Sequence, residues 1–232
     1  MSKLAPRVFL ALDDLSRAGK HVIQFAKING AGPHSVPQTI AETLLPPHLS
    51  PYVRLYQWPN YEAVAIIVAT NEMQVSQYWE LADALVSVLS EADVQWLTIV
   101  AALHLSYAKH DGLSVFYSNL NGAEDQEVDV TVLPRADPSW EVKDPWLSAF
   151  LRLIKLEQWP RTHLLLAKGY KPGRDMSSTY EAVDALSQAL QLVMKGRVIV
   201  DPHEVQQELP RLLKKEQMGR PTGIEHLARL YQ

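Results

Sequence analysis

A chain of 232 residues with 47% hydrophobic and 21% charged residues holds enough apolar material for one substantial core or two small ones. A formal net charge of −4 excludes the basic excess that marks a nucleic-acid footprint, and no stretch reaches the roughly 18 uninterrupted apolar residues a membrane helix needs. The first residues, Met1–Arg7, have no signal-peptide apolar core, and the chain contains no cysteine, which removes disulfides, thiol nucleophiles and thiolate metal ligands together. These features are those of a soluble intracellular protein, expected in the cytoplasm with the nucleus as a second compartment.

Arg7–Leu12 (RVFLAL) reads as a short buried strand. The apolar stripe of Leu15, Val22, Ile23, Phe25 and Ala26 predicts a helix over Leu15–Ile28, interrupted by Gly19 and stopped at Gly30-Ala31-Gly32-Pro33. Prolines 33, 37, 46, 47 and 51 then predict a surface connection with one turn at Ile40–Leu45. Tyr52–Trp58 alternates like a half-buried strand, and Glu62–Thr70 contains the run AVAIIVA of a strand covered on both faces. Pro59-Asn60-Tyr61 between them predicts an antiparallel hairpin. Tyr78, Leu81, Leu85, Val88 and Leu89 place a helix over Gln74–Ala92, and Val94–Leu103 follows as another buried strand. A helix leading into an apolar strand is the grammar of a parallel crossover.

Gly112–Tyr117 and Val128–Leu133 read as short strands on either side of an acidic loop, Asn121–Glu127. Asp144-Pro145 is a cap followed by proline at the first helical position, with Trp146, Phe150, Leu153 and Ile154 as the buried stripe. Trp159-Pro160 ends that helix and Thr162–Ala167 is the next strand. After the loop Gly169–Arg174, Ser178-Thr179-Tyr180-Glu181 has capping-box spacing and opens a helix to about Lys195. Val198–Val200 is a short strand. Asp201-Pro202 then caps a helix that Pro210 is expected to shorten or kink. The fold class is therefore α/β: a single three-layer domain over residues 1–218, its mixed, mostly parallel sheet carrying helices on both faces. Residues 219–232 are predicted to be a flexible C-terminal tail, because Gly219-Arg220-Pro221-Thr222-Gly223 makes a hinge.

Few residues suggest chemistry. Gly30-Ala31-Gly32 runs into proline rather than a helix, so it makes no phosphate loop. Ser114 lacks the second glycine of a nucleophile elbow. Glu124, Asp125, Glu127 and Asp129 lack the register and glycine of a calcium loop. His104, His110 and Asp111 follow an apolar strand, where α/β sheets commonly hold ligands; a base with an orienting carboxylate, a metal set, or a plain polar loop all suit them. The histidine spacing matches no standard ligand pattern, and neither a metal nor a cofactor is expected. Arg211, Lys214, Lys215 and Arg220 form a basic stretch, as a helix C-terminus favours, and would also suit an acidic surface. The chain ends Leu230-Tyr231-Gln232, an aliphatic side chain, an aromatic and a carboxylate that together can fill a pocket and pair with a lysine in it.

The ordered series AVAIIVAT, Gln77-Tyr78-Trp79-Glu80-Leu81, LTIVAALH, Asp144–Phe150 leading into Trp159-Pro160, THLLLA and Thr179–Val183 resembles the proteasome assembly chaperones over roughly residues 60–232. Residues 1–60 depart from that pattern. Leu230-Tyr231-Gln232 resembles the hydrophobic–tyrosine–any-residue terminus by which that family docks between proteasome α subunits. The resemblance implies a non-enzymatic protein that pairs as a heterodimer with a related chaperone, chaperone 2 of the family, and binds the α ring. By position it puts Leu230 in the apolar part of a pocket, Tyr231 at its rim and the Gln232 carboxylate on a lysine. The competing reading is an α/β hydrolase or phosphorylase-like enzyme acting through His104, His110 and Asp111.

Overall fold

The first apolar run of the chain has no face to leave in water. Strand β1 (Arg7–Leu12) is buried from Val8 to Leu12, so both of its faces need cover and both of its edges need partners. The computed structural model describes residues 4–13, 17–29, 37–40, 45–58, 61–70, 73–103, 115–122, 133–137, 142–168 and 177–218. After β1 come α1 (Ala18–Phe25), β2 (Lys27–Ile28), β3 (Gln38–Ile40), β4 (Val53–Gln57), β5 (Ala63–Val68) and α2 (Gln77–Glu91). The chain continues through β6 (Trp96–Leu103), β7 (Val115–Leu120), α3 (Pro145–Leu156), β8 (Arg161–Lys168), α4 (Ser177–Val193), β9 (Val198–Ile199) and α5 (Pro202–Met218). Two compact units result, one ending at Val200 and one beginning at Asp201.

The first unit is built on a seven-stranded sheet in the order β3-β4-β5-β1-β6-β8-β7. Strands β5, β1, β6 and β8 run parallel, while β4, β3 and β7 are antiparallel to their neighbours. The predicted hairpin is β4–β5, and the predicted crossover runs from β5 through α2 to β6, stepping over β1. Across one face, Ile66, Leu10, Ile99 and Leu164 stand in register and are all buried, in the same core as Leu81, Leu85 and Leu89 of α2 and Trp146, Phe150 and Ile154 of α3. Each such aliphatic side chain contributes about 1.5–3 kcal/mol relative to exposure. The opposite face carries α1 and α4, which pack on each other and on β1, β6 and β8.

Several local expectations are corrected. Helix α1 does not begin at Leu15: Arg17 stands at φ 56°, a left-handed conformation that stops helix propagation, and the helix starts at Ala18. Nor does it reach Ile28. Ala26 turns extended, the Trp58 indole donates a 2.9 Å hydrogen bond to its carbonyl, and Lys27–Ile28 pairs antiparallel with β9 in a separate two-stranded sheet. Ile40, expected to open a turn, belongs to the short edge strand β3 paired with β4. Ser178 lies inside α4, which begins at Ser177, instead of capping it.

Asp144 caps α3 as expected, its carboxylate accepting the Leu147 amide at 2.7 Å. Asn121, at φ 60°, turns the chain after β7, and its amide donates to the carbonyls of Ile154 and Pro160 at 2.9 and 3.0 Å, tying that turn to the end of α3. In the second unit Asp201 accepts the His203 amide at 2.9 Å, and α5 continues through Pro210 to Met218, so the proline does not shorten it. No described helix is long and apolar enough to cross a membrane.

Candidate functional site

The sequence placed its chemistry in loops and at the C-terminus. Leu230, Tyr231 and Gln232 lie outside the described residues, as do His104, His110, Asp111, Ser114, Arg220 and the acidic positions 124, 125, 127 and 129. Of the basic stretch, Arg211 lies on α5 and is held by Glu208 at 2.7 Å in an exposed pair, which is worth little by itself. Two ends of the sheet carry polar side chains.

At the carboxyl ends of the parallel strands, Asp13 follows β1, and its amide donates to the Val68 carbonyl at 2.8 Å, extending the β1–β5 ladder by a residue. Its carboxylate is buried, with Lys20 Nζ at 3.1 Å and Arg17 Nε at 3.5 Å. Each oxygen has a cation within ion-pair distance, although Oδ1 accepts no hydrogen bond among the described residues. This cluster pins the start of α1 to the end of β1. At the same end of the sheet, Asp144 receives a hydrogen bond from Thr70, which lies just beyond β5. Burial pushes the Asp144 carboxyl up, and the hydrogen bonds from Leu147, Thr70 and Trp146 pull it back.

At the amino ends the register sets Arg7, Trp96 and Arg161 side by side as the first residues of β1, β6 and β8. The guanidinium groups lie over the Trp96 ring at 5.9 Å (Arg7) and 5.3 Å (Arg161). His163, two residues into β8 on the same face, stacks on Trp96 with ring centroids 5.4 Å apart and planes 9° apart. Its Nδ1 shares a 2.8 Å hydrogen bond with the buried Tyr117 hydroxyl. The end of α4 and the turn after it add Met194, Lys195 and Arg197, which with Arg7, Trp96 and His163 line an open pocket of about 320 Å³. The six tryptophans are scattered along the sequence and carry no functional signal by themselves. The available signal, that three strands each open on Arg or Trp, becomes meaningful only once their mutual register is known.

Comparison with known proteins gives a consistent answer at the level of fold. No protein-family profile matches the chain, and no curated protein matches it in sequence. Among solved structures it is similar to PbaA of Pyrococcus furiosus, an archaeal homolog of proteasome-assembly chaperone, with a TM-score of 0.58 and 12% identity over 93% of this chain and 92% of that one. PbaB of the same organism, an archaeal proteasome activator, aligns with a TM-score of 0.57 and 13% identity over 94% and 96% of the two chains. A proteasome-assembly chaperone homologue of Mycobacterium tuberculosis aligns with a TM-score of 0.53 and 12% identity over 93% and 96%. The α/β fold is thus shared over more than nine-tenths of the chain with these proteins, at identities that show the fold alone.

Proposed function

We propose that the chain is a non-enzymatic chaperone of 20S proteasome assembly, corresponding to chaperone 1 of that family. In this reading it pairs with chaperone 2 and engages the α ring through Leu230-Tyr231-Gln232. The observation that carries the proposal is the full-length likeness to an assembly-chaperone homolog, 93% of this chain against 92% of that one. The terminal sequence adds a docking element of suitable chemistry: Leu230 fills an apolar pocket, Tyr231 orders its rim, and the Gln232 carboxylate pairs with a lysine. A small anchor on a hinge and a larger contact on the folded body reinforce each other through effective concentration. Such a protein works in the cytoplasm, and in the nucleus where proteasomes assemble there.

The test is co-purification from a cell extract, comparing the chain ending at Gln232 with one lacking residues 230–232. The expected result is that the longer chain retains α subunits and a second small chaperone, while the truncation weakens α-subunit recovery and keeps the chaperone pair. Failure of both forms to bring down α subunits, under conditions that recover other proteasome binders, overturns the proposal.

A further inference from the structure

The pocket at the amino ends of the strands gathers positive charge that the fold does not balance. Arg7 comes from β1, Lys195 and Arg197 from the turn after α4, and among the described residues no acidic side chain lines the opening. Among those residues, too, no carboxylate lies within ion-pair distance of these three cations. A helix C-terminus favours nearby cations, which accounts for Lys195 and Arg197. It does not account for Arg7, which approaches from a different element and whose hydrogen bond is a weak one, 3.9 Å to the Met194 sulfur. Crowding like charges around one opening costs energy unless an anion compensates it, and the chain as a whole carries a net charge of −4.

The geometry also suits a ligand rather than bulk counter-ions. The Arg7 guanidinium carbon lies 5.9 Å from the centre of the Trp96 ring, and with one Nη on the Met194 sulfur its Nε and other Nη remain as a two-donor fork. Such a fork matches the two oxygens of a phosphate or carboxylate. Trp96 is itself fixed between its neighbours by His163 and Arg161, so the fork rests on a rigid support. The volume of about 320 Å³ is that of a small-molecule site and too small for a folded partner.

We propose that this pocket binds a small polyanion bearing several oxyanion oxygens, with Arg7 as the bidentate contact and Lys195 and Arg197 as the flanking charges. Phosphates and polycarboxylates share that chemistry, so pyrophosphate and citrate are the probes. Each is titrated into the full chain by calorimetry at low salt and again at high salt, with the melting temperature recorded in parallel. Saturable binding of either probe that weakens with salt is expected, and the tighter of the two identifies the phosphate or carboxylate source.

Arg7→Gln should weaken it by roughly tenfold or more, Arg7→Lys by less because charge remains while the fork is lost, and Arg197→Gln by several-fold. Arg54→Gln, an exposed cation on β4, should change nothing. Ligand-free melting curves confirm that each variant is folded, and Arg197→Gln, at an exposed position, carries the test if Arg7→Gln is not. Absence of saturable binding to both probes, or equal weakening by Arg54→Gln, overturns the proposal.

Discussion

Adding one methyl group at Gly19 tests how closely α1 lies on the sheet. A Cβ built there would stand 2.3 Å from the Val100 carbonyl oxygen, 3.2 Å from its carbon and 3.4 Å from the Leu12 amide nitrogen. All three are backbone atoms of β6 and β1. Val100 is paired with Ala11 on one side and Leu165 on the other, so it cannot retreat without disturbing two ladders. In an open helix Gly→Ala gains about 1 kcal/mol. Overpacking a rigid site costs about 1–3 kcal/mol, and a clash with paired backbone sits at or beyond the upper end. Gly19→Ala should therefore be destabilising by about 2 kcal/mol net, lowering the melting temperature by roughly 4–8 °C for a chain of this size.

Gly196→Ala is the control. Gly196 has φ 69° and nothing within 4 Å of an added methyl, so it feels only the left-handed strain of about 1–2 kcal/mol. Differential scanning calorimetry and urea unfolding followed by near-UV dichroism measure both. A Gly19→Ala protein that melts at or above the parent temperature would refute the close approach of α1 to β6, and with it the helical layer on that face.

Asp144 has a folded pKa raised by burial, so the native state holds its proton more tightly than the unfolded chain. Its contribution to stability is full below the unfolded value of about 4 and is lost as pH rises through the folded one. Asp144→Asn keeps a cap acceptor without that loss and should match or exceed the parent above the window in urea titrations across pH, whereas Asp144→Ala loses about 1 kcal/mol of capping. Asp13→Asn removes the anion that Lys20 and Arg17 face and should cost about 3 kcal/mol, with Lys20→Met added to it recovering part; equal urea midpoints for Asp13→Asn and parent would show the pair to be idle. His104→Ala and His110→Ala should leave co-purification of α subunits unchanged. A hydrolytic or phosphorolytic activity abolished by those changes, and indifferent to loss of residues 230–232, would favour the enzymatic reading.

The strands were legible because burial on both faces leaves a mark in composition: AVAIIVA and WLTIVAAL have few alternatives to a covered parallel strand. The two Asp-Pro caps were equally plain, since a carboxylate acceptor and a missing N–H suit the first turn of a helix and little else. What escaped depended on distant partners. Lys27–Ile28 has no strand pattern of its own and is extended because Val198–Ile199 lies beside it and Trp58 holds the preceding carbonyl. Gly19 looked like a flaw in a helix and is the point at which the helix meets β6. The cationic pocket was invisible for the same reason: Arg7, Trp96 and Arg161 are neighbours only through sheet register.

The position of β1 has a consequence for biosynthesis. Among the described strands it is made before its two partners, which pair with it at Ala63 and Trp96, and neither flanking ladder can close until those segments have been made. Until then the VFLAL run has an unsatisfied backbone edge and lacks the cover that α2, α3 and α4 later supply, the condition under which nascent chains aggregate. Completion of β5 allows one edge to close, and the other stays open until β6 is made. Synthesis that stalls between β5 and β6 therefore leaves a half-built sheet with β1 as its open edge, and a pause there is more hazardous to this protein than one after Leu103.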